Sequence, residues 1–204
     1  AAMLAAWWVY VPIHELMHAW GCLLAGGSVT RLEIDEAYGA VWLAQIFPYV
    51  VPGSEYAGRL SGFDTGGHDG IYLATVFFPY LLTLFPGVWL LKRSARAGRT
   101  AWLWLGAALP PALAPFMSLT GDYYELGSIL VSRLAAGGYP DAPARWRADD
   151  VPLLVSRLWG DPGSTGLDAL GVAASLVLGL ALALATYALG AWLARAVLAG
   201  RAAP

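Results

Sequence analysis

At 204 residues, with 58% hydrophobic and 13% charged side chains and a mean hydropathy of +0.58, the chain is long enough for one compact domain and too apolar for an ordinary soluble one. A formal charge of −2, with no basic patch interleaved with aromatic residues, argues against nucleic acid as a partner. The single cysteine, Cys22, excludes an internal disulfide, and the bilayer is the expected solvent.

The first apolar segment, about residues 1–25, has no basic leader and no small-residue cleavage site before a polar mature sequence, so it is expected to be retained as a span. Within it lies His14-Glu15-Leu16-Met17-His18. Residues four apart share one helical face, so His14 and His18 can offer ring nitrogens to one zinc ion while Glu15 reaches a metal-bound water. An ionisable group near the bilayer centre costs about 2.5–3.5 kcal/mol on the lenient insertion scale, which favours a functional reading over buried polar packing. Pro12 is expected to distort this helix, and Cys22, one turn beyond His18, to pack as a small hydrophobe.

After Gly26-Gly27, residues Ser28–Ile34 and Gly39–Leu43 read as two short strands around a turn near Glu36–Gly39. Such a hairpin is either an interfacial connector held by Tyr38 and Trp42 or an edge that binds an extended peptide by strand addition. Residues Pro52–Gly70, rich in Gly, Ser and Asp, read as loop, with His68 a reserve ligand or oxyanion donor.

Further spans are expected at about 70–91, 100–121 and 168–195. Pro79 and Pro86 in the second, and Pro110, Pro111 and Pro115 in the third, free backbone carbonyls and predict a wet internal cavity. Lys92, Arg93, Arg96 and Arg99 place the turn between these spans in the cytoplasm; Arg195 and Arg201 then put the chain ends there too. Gly171, Ser175, Gly179 and Ala183 form a small-residue stripe for close helix packing. Tryptophans such as Trp7, Trp8, Trp102 and Trp104 fall near span ends, as interfacial anchors do. The expected fold is an all-α integral membrane protein of about four spans, one domain over 1–204, with a small β-hairpin after the zinc helix. Its expected location is the plasma membrane of a prokaryote, and the sequence assigns no oligomeric state.

A catalytic zinc takes three protein ligands and leaves the fourth position to water. Asp122, directly after the third span, is the expected third ligand, with Glu125 as competitor. Asp122-x-x-Glu125 also reads as a capping box opening a helix. Tyr123 and Tyr124 read as interface anchors or transition-state donors.

On His14-Glu15-Leu16-Met17-His18 within a span, the Gly-rich strand-like segment through Ile34, and an aspartate after a proline-rich later span, the chain resembles the site-2 protease family of intramembrane zinc metalloproteases. The likeness covers about residues 5–125. It implies peptide-bond hydrolysis in or near the membrane, zinc on His14, His18 and Asp122, Glu15 as general base, and membrane proteins or peptides as substrates. The family pattern has an Asp-Gly pair behind an Asn/Pro stretch; here the order is Gly121-Asp122 and the chain has no asparagine. The family also carries its strand segment on the cytoplasmic side, opposite to the charge count. A weaker likeness links Asp122–Glu125 and Gly137-Gly138-Tyr139-Pro140 to membrane zincins that trim prenylated proteins. The alternative functions are such a surface-acting zincin and a membrane zinc protein without protease activity, an assembly partner or metal carrier.

Overall fold

The computed structural model describes residues 1–200; Arg201, counted above among the basic residues after the last span, lies outside them. The chain runs α1 (Ala2–Leu24), β1 (Ser28–Ile34), a 3-10 turn (Glu36–Tyr38), α2 (Ala40–Leu43), β2 (Val50–Pro52), β3 (Gly58–Asp64), α3 (Asp69–Phe77), α4 (Val88–Ser94), α5 (Ala101–Met117), α6 (Asp122–Ala135), α7 (Ala142–Trp146), α8 (Val151–Gly160) and α9 (Gly166–Gly200). It divides into two compact units, residues 1–113 with 190 onward, and residues 114–189.

Among the described residues, three helical stretches, Asp69–Ser94, Gly98–Ala135 and Gly166–Leu198, are long and apolar enough to cross a membrane. This is one fewer than expected. Helix α1 has the length, at 23 residues, but His14, Glu15, His18 and Pro12 dilute its apolarity. The second stretch also runs past the expected end at residue 121 to Ala135, through a turn at Ser118–Gly121.

In the first unit the expected hairpin is replaced by a three-stranded sheet, order β2-β1-β3. Strand β1 forms where expected, but residues 40–43 do not pair with it. Asp35 caps the 3-10 turn by accepting from Ala37 N–H at 2.7 Å, and Gly39 ends it at φ 80°. The following residues bury Ala40 and Leu43, three apart, which is the helical and not the strand period. The partners of β1 are β2, parallel with Leu32 opposite Val50, and β3, antiparallel from Ser28–Asp64 to Ile34–Gly58 with an irregularity at Arg31. Strand β3 lies inside the expected loop. Leu32 and Ile34 from the sheet, Leu16 and Ala19 from α1, and Ala40, Leu43 and Val50 form the core of this unit.

Prolines shape the first of these stretches as expected and the second differently. Around Pro86 the backbone leaves the helix, with Phe85 extended at φ −158° and ψ 131°, whereas α5 continues through Pro110, Pro111 and Pro115. Pro115 lacks the N–H that would bond the carbonyl of Pro111 four residues back. Buried Thr83 supplies the donor, its Oγ1 standing 2.7 Å from that oxygen, so this break faces protein and not the expected wet cavity. Pro12 leaves α1 continuous.

In the second unit the small-residue stripe of α9 serves packing, as read. A Cβ on Gly179 would collide with the Tyr123 carbonyl of α6, one on Gly127 with the Ser175 carbonyl, and one on Gly171 with the Trp146 indole. Asp168, fully buried at the start of α9, holds α7: Arg145 Nε and Nη2 donate to its two oxygens at 2.8 and 3.0 Å, and Trp146 Nε1 at 3.0 Å. Tyr139 Oη and the Thr165 N–H and hydroxyl also donate to it.

Candidate metal centre

Helix α1 presents two working sides. One, with Leu16 and Ala19, packs on the sheet; the other, with His14, His18 and Gly21, meets α3 and the 3-10 turn Phe78–Tyr80. The helices approach closely at Gly21, where a Cβ would stand 2.6 Å from Phe78 Cβ and 2.7 Å from the Ala74 carbonyl oxygen. This approach brings the Thr75 carbonyl to His18.

The two imidazoles converge as the four-residue spacing predicts. His14 Nε2 and His18 Nε2 are 3.2 Å apart, with ring centroids 4.8 Å apart and planes at 84°. The remaining nitrogen of each ring is engaged. His18 Nδ1 lies 2.9 Å from the Thr75 carbonyl oxygen, an acceptor only, so Nδ1 carries a proton, and in the neutral ring Nε2 keeps its lone pair. His14 Nδ1 lies 2.8 Å from the Tyr10 hydroxyl, which can donate to it or accept from it. Accepting there fixes the tautomer whose Nε2 is a ligand. His18 is 8% exposed, His14 is half-buried, and fully buried Tyr80 stands edge-on to His14 with centroids 5.6 Å apart. Two convergent nitrogens, each backed by an oxygen at the far side of its ring, are a donor set suited to a divalent transition metal.

Glu15 projects to the sheet side of α1, against the first residue of β3. A Cβ on Gly58 would lie 2.7 Å from Glu15 Cδ and closer still to Cγ.

Asp122 is the first residue of α6, in the second unit. Gly121, not Asp122, is the N-cap residue, so the expected capping box does not form. Asp122 N–H instead donates to the Ser118 hydroxyl oxygen at 3.3 Å. Glu125 is buried one turn further along, with its carbonyl accepting from Ser128 Oγ at 2.8 Å. Tyr123 and Tyr124 are fully buried, their hydroxyls donating to Thr186 Oγ1 at 2.9 Å and the Trp146 carbonyl at 2.8 Å, so neither is an interface anchor. His68, the reserve candidate, is exposed as the N-cap residue of α3. Buried Cys22 packs as expected, its Sγ against Gly27 and 3.5 Å from the Ser28 carbonyl.

Tyr10, Thr75 and Gly58 carry no motif and were invisible in the sequence. The chain matches no protein-family model, no curated protein and no solved structure.

Proposed function

We propose that this chain is a zinc-dependent endopeptidase hydrolysing a peptide bond in or near the membrane, with His14, His18 and Asp122 as metal ligands and Glu15 as general base. The observation that carries the reading is the histidine pair: two Nε2 atoms 3.2 Å apart whose Nδ1 atoms are both held by oxygen. Asp122, the expected third ligand, would add a carboxylate oxygen to that pair. Two nitrogens and a carboxylate oxygen are a donor set of a catalytic zinc site. Zinc bound by such ligands lowers the pKa of water and polarises a carbonyl.

Glu15, next to the first histidine in the chain and anchored against β3, takes the proton of the attacking water and returns it to the leaving amine, which balances the hydrolysis. Tyr10 and the Thr75 carbonyl hold the ligand rings in place throughout. A helical substrate exposes no carbonyl until it unwinds, and an unwound strand needs backbone partners. Strand β1, the edge expected from sequence, is paired on both sides, so the peptide adds to an outer strand instead. Strand β3, which touches Glu15, fits that role.

The test is Glu15→Gln in detergent-purified protein, with metal content and cleavage of a membrane-reconstituted substrate measured together. The variant should keep its zinc and lose cleavage by about 100-fold or more. Undiminished cleavage rejects the role of Glu15, and a folded wild-type protein without metal rejects the whole reading.

A further inference from the structure

Gly58 opens β3 opposite Ile34, at the end of the sheet nearest Glu15. Its conformation does not require glycine, because it is not among the residues with positive φ. What it lacks is room: a Cβ would collide with Glu15 Cγ, lie 2.7 Å from Cδ and 3.2 Å from Oε2. All three distances fall on the side chain of one residue, and that residue is the general base of the reading above. Two positions along the strand, Leu60 packs against the core that includes Leu16, the neighbour of Glu15 in α1. Helix and strand are therefore fixed to each other immediately beside the contact, and neither can retreat cheaply to admit a methyl group.

We propose that Gly58 is a positioning residue for Glu15: the missing side chain in β3 is the seat that holds the carboxylate in its working place. The inference rests on the role assigned to Glu15, and it adds that the strand, as well as the helix, sets where the proton is taken up. A methyl group at position 58 pushes the carboxylate aside without touching a metal ligand. Displacement of a catalytic group by about 1 Å is enough to cost about 100-fold in rate.

The experiment is a double-mutant cycle of Gly58→Ala and Glu15→Ala, read by thermal midpoint in detergent, with metal content and steady-state kinetics of Gly58→Ala measured alongside. In the wild-type background Gly58→Ala should lower the midpoint by about 2–8 °C. In the Glu15→Ala background, where the colliding atoms are gone, the same change should have little effect. Metal content should match wild type, and kcat should fall about 100-fold at unchanged KM. Equal midpoint losses in both backgrounds, or a non-additive cycle with undiminished kcat, overturn the proposal. If wild type cleaves nothing, the protease reading fails by itself, while the cycle still decides whether Gly58 seats Glu15.

Discussion

Tyr10 and Thr75 hold the Nδ1 atoms of His14 and His18. The Thr75 carbonyl is fixed by the backbone of α3, but the Tyr10 hydroxyl is a side-chain group that can be removed alone. Tyr10→Phe should leave the fold intact and weaken metal binding by about 10- to 100-fold, measured by competition with a chelator of known affinity. An unchanged affinity would show that His14 needs no partner to orient it. The histidine pair was legible because its spacing is local: a helix places residues four apart together whatever surrounds it. The residues that orient them were not. Thr75 lies 57 positions from His18, and Gly58 is defined by an atom it does not have. Asp122 was legible both as a candidate and as the start of a helix; the cap falls one residue earlier, on Gly121, which has no side chain to signal it.

Among the elements, β1 and the stripe of α9 followed from the sequence because each depends on a short periodic pattern. Strand β3 did not, since Gly58, Ser61, Gly62 and Asp64 have the composition of a loop, and it becomes a strand only by pairing with β1. Likewise, the prolines of α5 announced freed carbonyls without saying what would answer them. Thr83 is that answer, and it gives a test at the level of helix packing. Thr83→Val, nearly equal in shape, should destabilise the protein by about 1–3 kcal/mol through an unsatisfied buried carbonyl. In a Pro115→Ala background the restored N–H takes that carbonyl, so the penalty of Thr83→Val should shrink. Equal penalties in both backgrounds, by denaturant titration in mixed micelles, would reject this account.

For the molecule as a whole, three helical stretches carry the apolarity needed for a bilayer, and the second unit is closed by a charge network that no pattern in the sequence revealed. Removing Asp168 by substitution to Ala takes away one partner of a buried pair. The expected loss is about 3 kcal/mol, at the lower end for such pairs because Arg145 keeps Asp161 at 3.0 Å. The Gly163 N–H, and then Arg145, hold the Asp161 carboxyl below its ordinary range. A depressed carboxylate stabilises above its unfolded pKa and loses that contribution as pH falls through the folded one. Stability should therefore decline on acidification below about pH 4, and Asp161→Asn should flatten that decline in thermal melts.

Helix α1 has the length of a membrane-crossing segment and lacks the apolarity of one, because Pro12, His14, Glu15 and His18 interrupt it. An insertion machinery that sorts segments by hydrophobicity would release the three later stretches into lipid on their own merits. Helix α1 packs against the sheet and α3 instead, so its place in the fold depends on those contacts.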